Sequence, residues 1–294
     1  MVKETLLDTD FLKKLERLTI LTKKVITGRL KGEKRSRKRG QSVEFADFRN
    51  YVPGDDVRFI DWNTYARLEK YFVKLFVEEE DITIYILIDT SKSMDFGNPP
   101  KILYAKKLAA SLGYIGLSNL NRVIISEMKF GSNKDTKAMR GKSEIHRMLN
   151  FLDELEANGK TTLAESTRKF ALKHKRKGFL IIISDFLDKA GYEAPLRNII
   201  ARDLDVFVFQ ILSANEYAPE LTGDLRLVDS EDEEYAEVTI SDRLIKSYKK
   251  TLSDYCAQIK NFCLKRGISY LFTLTSYPFE DIIFNYLKTA GILK

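Results

Sequence analysis

Asp89, Ser91 and Ser93 stand at alternate positions in the string Asp89-Thr90-Ser91-Lys92-Ser93. In a tight loop, alternate side chains converge on one point, so this spacing offers a carboxylate and two hydroxyls to a single centre. All are hard oxygen donors, and with no Cys or His nearby the set suits Mg²⁺, or a similar hard cation such as Mn²⁺, far better than Zn²⁺. The competing reading is structural. Asp89 and Ser91 would hydrogen-bond a turn and Ser93 would cap a short helix, the commoner situation for an isolated D-x-S-x-S. Two other stretches shift the balance: Gly159-Lys160-Thr161 lies in a loop ahead of a helical pattern, and Ser184-Asp185 ends the apolar run GFLIII. Brought to one edge, the Thr161 hydroxyl and the Asp185 carboxylate would join Asp89, Ser91 and Ser93.

That convergence needs neighbouring parallel strands. Ile82 to Ile88 is short, β-branched and almost free of charge, the pattern of a strand covered on both faces. Ligands in open α/β sheets collect outside the carboxyl ends of such strands, where Asp89 falls. Further strands are predicted over Arg122–Phe130, Phe179–Ile183, Val206–Leu212 and Ile268–Leu274, alternating with helices over Lys101–Leu117, Ser143–Leu155, Leu163–His174 and near 192–201, 241–266 and 279–290. The alternation predicts an α/β fold, a doubly wound, mostly parallel sheet with right-handed crossovers. Glu127 inside the second strand suggests an open edge. Thr162 and Glu165 form a T-x-x-E capping box, which leaves Thr161 for the ion. Between 214 and 239 the alternation lapses into a hairpin with an acidic turn at Asp229, Glu231, Asp232, Glu233 and Glu234. Such a turn is ordinarily solvated, but it could dock a basic arm of another copy.

Ahead of the sheet lie two smaller regions. Leu12, Leu15, Leu18 and Thr22 recur at helical spacing within Phe11–Ile26, with Asp8 or Thr9 placed as cap. Residues 41–80 then read as a small β-rich unit with aromatic residues and the turn Pro53-Gly54-Asp55-Asp56. Its charged residues Arg49, Asp55, Asp56, Arg58, Asp61 and Arg67 are best read as internal ion pairs. The expected organisation is a helix and basic arm over 1–40, the β-rich unit over 41–80, and the sheet domain over 81–294 with its hairpin insertion.

The chain has 294 residues, 44% of them hydrophobic, and a net charge of +7. No apolar run approaches the roughly 18–20 residues of a membrane helix, and the amino terminus lacks a signal-peptide core, so a cytoplasmic protein is expected. Cys256 and Cys263 fit reduced residues of one helix. The positive charge concentrates in Lys23, Lys24, Arg29, Lys31, Lys34, Arg35, Arg37, Lys38 and Arg39, opposed only by Glu33. Lys34, Arg35, Arg37, Lys38 and Arg39 form a candidate partner-binding patch for an acidic protein face, nucleic acid or anionic lipid. Without a stacking platform or a recognised nucleic-acid fold, an acidic protein ranks above nucleic acid.

Asp89-Thr90-Ser91-Lys92-Ser93, Thr161 and Asp185 resemble the metal-ion-dependent adhesion site of von Willebrand factor A domains. The stretches SRKRGQSVEFADFRNYVPGDDVRFIDWN (36–63), YFVKLFVEEEDITIYILIDTSKSMDFG (71–97) and GDLRLVD (223–229) resemble the DUF58 family over nearly the whole chain, and PGDDVRxIDW is much the more specific string. The resemblance implies that two serines and a threonine hold Mg²⁺ or Mn²⁺ while the aspartates act mostly through water, leaving one position open for an Asp or Glu of another protein. It also implies a non-enzymatic adaptor working with a MoxR-type AAA+ ATPase in chaperone-like assembly or maturation of client proteins. Enzyme readings have less material. A P-loop would need Gly where Glu154 stands. A dehalogenase-type phosphatase would need Asp where Ser91 stands, and the two histidines, His146 and His174, lie in charged helical contexts. The alternatives are a Mg²⁺- or Mn²⁺-dependent hydrolase using Asp89 and Asp185, and a nucleic-acid or anionic-surface binder acting through the basic arm.

Overall fold

The structure is a computed structural model that describes residues 6–20, 43–78, 82–129, 134–158, 162–202, 204–229 and 235–294. The chain divides into two units, Met1–Leu21 with Ile82–Lys294, and Thr22–Asp81.

In the smaller unit, strands β1 (Val43–Asn50) and β2 (Phe72–Glu78) pair antiparallel, with a register shift between Phe45 and Asp47. A short helix, Trp62–Leu68, which the aromatic pattern did not announce, lies between them. Asp61 starts it by accepting from the Asn63 amide at 3.2 Å and from the Thr64 hydroxyl at 2.7 Å. The expected internal ion pairs are present, Arg49 to Asp55 at 2.8 Å and Arg58 to Asp56 at 2.6 Å.

The larger unit is built on six strands: β3 (Thr83–Asp89), β4 (Arg122–Met128), β5 (Met139–Arg140), β6 (Gly178–Ser184), β7 (Leu204–Leu212) and β10 (Ser269–Leu274). Their order is β10-β7-β6-β3-β4-β5. All neighbours are parallel except the short β5. The expected α/β, doubly wound, mostly parallel sheet is therefore what forms. From β3 the chain winds outward through β4 and β5, then crosses back to β6 and winds the other way. The reversal lies between β3 and β6, the topological switch point where open α/β sheets leave a crevice.

Alternation along β3 divides the core in two. Ile84, Ile86 and Ile88 meet Leu108, Leu112 and Ile115 of the Lys101–Ser118 helix on one face. Tyr85 and Leu87 meet Leu163, Phe170 and Ile259 on the other. Each isoleucine buried this fully contributes roughly 1.5–3 kcal/mol, which makes β3 a rigid base for whatever follows it. Gly116 lets the helix lie close on the sheet, since a Cβ there would stand 2.7 Å from Ile84 Cδ1 and 2.9 Å from Val123 Cγ2.

The first helix is shorter than its periodicity predicts. It covers Thr9–Leu15 instead of reaching Ile26, and Asp8 precedes it without a side-chain cap bond. Beyond it, backbone bonds join Thr19 and Lys294, and Ile20 bridges Leu293, so the chain has left the helix for extended pairing by residue 20; residues 21–26 of the predicted helix lie outside the described residues. The predicted capping box at Thr162 is also absent. Asp188 occupies the helix start instead, accepting from the Leu163 amide at 3.0 Å, while Glu165 pairs with Lys169. Strands β8 (Gly223–Val228) and β9 (Tyr235–Ile240) form the expected hairpin. Residues 231–234 of its acidic turn lie outside the described residues. Cys256 and Cys263 are free thiols on the Asp242–Leu264 helix. Among the described residues no helix is long and apolar enough to cross a membrane.

Candidate metal-ion centre

β3 and β6 are hydrogen-bonded parallel neighbours, so Asp89, at the end of one, and Ser184-Asp185, at the end of the other, meet at the switch point. Asp89 is buried and both of its oxygens are used. Oδ1 accepts from the Ser91 amide at 2.9 Å and Oδ2 accepts from the Ser184 hydroxyl at 2.6 Å. Its work is to hold the Ser91 backbone in place. From there the chain makes a 3-10 turn over Lys92–Asp95, anchored by the fully buried Met94. That turn sets Ser91 Oγ 2.9 Å from Ser93 Oγ, and the Ser93 hydroxyl donates to Asp185 Oδ2 at 2.8 Å.

Asp185 is aimed by the turn that follows it. Phe186 has a left-handed backbone, φ 58°, which costs a non-glycine residue about 1–3 kcal/mol unless its surroundings enforce it. Here the Phe186 ring is buried, its amide donates to Ser184 Oγ at 2.9 Å, and Tyr255 Oη donates to its carbonyl at 2.7 Å. Gln210 Nε2 donates to the Asp185 carbonyl at 3.1 Å and the Leu187 amide to Asp185 Oδ1 at 3.0 Å. One carboxylate oxygen, Oδ2, is left facing the serines.

Four of the five predicted ligands therefore come together: Asp89, Ser91, Ser93 and Asp185. Thr161 lies outside the described residues, as do Lys34, Arg35, Arg37, Lys38 and Arg39. Neighbouring vertices of an octahedral Mg²⁺ shell, with metal–oxygen distances of about 2.1 Å, are about 3.0 Å apart. The row Ser91 Oγ, Ser93 Oγ, Asp185 Oδ2 steps by 2.9 and 2.8 Å, hydrogen-bond spacings that are also close to an octahedral edge. Among the described residues no cluster of three or more His, Cys, Asp and Glu could hold a metal, so any such centre depends on hydroxyls.

Sequence reasoning missed the cation already present. Lys101, 0% exposed, donates to Asp185 Oδ2 at 2.7 Å and also to Glu216 Oε1. Glu216 is held in turn by a capping box, its other oxygen accepting from the Ser213 amide at 2.8 Å. A signal existed. Lys101 opens a helix, where the macrodipole disfavours a cation unless carboxylates stand nearby. Burial works against the ammonium's charge, but Asp185 and Glu216 outweigh it and hold Lys101 above its ordinary range. Asp89 is pushed up to about 7, chiefly by burial and then by the charge of Asp185. Glu127, expected at an open edge, is instead buried, with the Thr90 hydroxyl 3.1 Å from its Oε1. His174 pairs with Asp135 beside β4 and takes no part in the cluster, and His146 is exposed on its helix.

A doubly wound, mostly parallel sheet with a cluster of carboxylates and hydroxyls at its switch point defines the class of α/β proteins to which the chain's fold belongs. Within that class the chain belongs to the DUF58 family, whose description, "Protein of unknown function DUF58", matches residues 47–256. It is similar to the uncharacterized protein Mb1516 of Mycobacterium bovis, 26% identical over 250 residues that cover 83% of this chain and 78% of the other. Among solved structures it is similar to the hypothetical protein BatB from Bacteroides thetaiotaomicron, with a TM-score of 0.43 at 13% identity, covering 71% of this chain and 98% of that one. It is also similar to the SpRpn10 VWA domain, with a TM-score of 0.37 at 10% identity, covering 70% and 95% respectively.

Proposed function

We propose that Ser91, Ser93 and Asp185, with Asp89 behind them and with Thr161, the ligand expected from the sequence, hold Mg²⁺ or Mn²⁺ and present it to an Asp or Glu side chain of another protein. The observation that carries this reading is the row of two hydroxyls and one carboxylate oxygen at octahedral edge spacing. Two neutral oxygens and a single direct carboxylate leave an ion electron-poor, so an incoming carboxylate completes its shell with a strong charge-assisted contact. When bound, the ion supplies that electrophilic contact. The chain's own residues fix its position and keep the crevice rigid.

The role proposed is a cytoplasmic, non-enzymatic adaptor. Support for a MoxR-type AAA+ ATPase as partner is the family resemblance alone, and the chain would couple that ATPase to a client. The test is to mix purified chain with such an ATPase from the same source. Metal-dependent complex formation and a change in ATP turnover are expected, both lost with chelator and in Asp89→Ala. An unchanged complex under chelation, or none under any condition, would remove this role.

A further inference from the structure

We propose that Lys101 is a tethered counter-cation that competes with a divalent ion for Asp185, and that Glu216 is the second anchor onto which its ammonium shifts when the ion binds. This rests on the metal reading of the same site. The oxygen of Asp185 that completes the row with Ser91 and Ser93 is also the oxygen that accepts from Lys101, at 2.7 Å. A divalent ion against that oxygen and the ammonium therefore draw on the same charge, and they repel one another in a buried setting where screening is weak.

The buried ammonium of Lys101 has three N–H donors to satisfy and meets two carboxylates, 84 and 115 residues away in sequence, which differ in how they are held. Asp185 belongs to the crevice. Glu216 lies outside it, fixed by its capping box with Ser213 and by Tyr248 Oη, which donates to the Glu216 carbonyl at 2.8 Å. An anchor fixed independently of the crevice can keep the ammonium paired after Asp185 is given up, so the lysine is never left buried without a partner. The flexible four-carbon stem of lysine permits the small shift from one carboxylate to the other. The exchange also joins occupancy of the site to the Ser213–Tyr217 turn. The loop that follows Ser93 packs on this turn at Gly97, where a Cβ would stand 2.7 Å from Ser213 Cβ.

The experiment is a calorimetric titration of Mg²⁺ and of Mn²⁺ into the full chain, as wild type, Lys101→Met, Glu216→Gln and the double variant. Lys101→Met is expected to bind ion at least tenfold more tightly than wild type. Glu216→Gln, which leaves Asp185 as the only charged partner of the ammonium, is expected to bind at least threefold more weakly, and that loss should vanish in the Lys101→Met background. Wild-type binding with no gain in Lys101→Met would overturn the competition and leave the metal reading standing. An equal loss from Glu216→Gln in both backgrounds would make it a plain nearby charge and overturn its anchoring role. No binding by any of the four would fell the metal reading and this proposal together. If Lys101→Met does not fold, Lys101→Gln takes its place as the background in which the Glu216→Gln loss must vanish, and unchanged or tighter binding by Glu216→Gln remains a contrary result.

Discussion

Asp135 and Asp185 are both nearly buried carboxylates that face a lysine, and they sit in opposite charge balances. Beside β4, Asp135 is met by two potential cations, Lys173 at 2.7 Å and His174 at 3.0 Å. Burial raises its pKa, but the hydrogen bonds from His174 and Lys173 win, and the carboxyl lies below its ordinary range. At the carboxyl ends of β3 and β6, Asp185 and Glu216 share the ammonium of Lys101, while Asp89, which feels the charge of Asp185, is held by the Ser91 amide and the Ser184 hydroxyl and pairs with no cation among the described residues. One cluster has cations enough for its carboxylate, although Asp135 Oδ1 itself is left without a hydrogen-bond partner. The other is short of positive charge, and a buried excess of carboxylate is relieved either by taking up protons or by binding a cation.

The largest effect that would break this contrast is expected from Asp185→Ala. It removes the acceptor of Ser93 and of Lys101 at once, leaving the buried ammonium with Glu216 alone. The expected loss is about 3 kcal/mol in denaturant unfolding, with all metal binding gone in calorimetry. A loss of only a few tenths of a kcal/mol would mean that Lys101 finds solvent or another partner.

pH sharpens the contrast, because the two clusters should respond with opposite sign. Asp89 is raised from 3.8 to about 7, so in chelator the folded state holds a proton that the unfolded state has released. Its contribution to stability is complete below about pH 4 and is lost as pH rises through 7, by a few kcal/mol at most. Asp135 is lowered from 3.8, so its contribution is present above that value and is lost as pH falls below it. Unfolding midpoints taken from pH 3 to pH 8 should therefore show Asp89→Asn flattening the neutral limb and Asp135→Asn flattening the acid limb. If each substitution altered the other's limb, the assignment would be reversed. Saturating Mg²⁺ should suppress the neutral limb in wild type, since binding favours the ionised carboxylate.

The smallest effect is expected from Lys173→Ala. Its side chain is 60% exposed, and Asp135 keeps His174, so the change should stay within about 1 kcal/mol. A loss comparable to that of Asp185→Ala would mean that Asp135 is as short of charge as the other cluster.

Much of the centre was legible because its parts sit at the ends of conspicuous strands. Two apolar runs, each followed at once by oxygen-bearing residues, place Asp89 and Asp185 together as soon as the runs are taken as parallel neighbours. Lys101 and Glu216 were not legible in that way, since both lie in helical or turn patterns far along the chain and only the fold brings them to Asp185. Local rules failed where tertiary contacts supplied a better partner. Asp188 displaced the Thr162 capping box, and the Thr90 hydroxyl made a buried Glu127 tolerable inside a strand. The first helix stopped at Leu15 because the chain end offered Ile20 an extended partner, a contact that no periodicity encodes.

The central claim is that an ion held here receives another protein's carboxylate. Fluorescence anisotropy of a labelled peptide with a single Asp, titrated with the full chain in Mg²⁺, in Mn²⁺ and in chelator, tests it most directly, with Ser93→Ala as the matched variant. Saturable binding that needs the ion and falls at least tenfold in Ser93→Ala is the predicted result; binding of equal strength in chelator, or equal binding by Ser93→Ala, would contradict it.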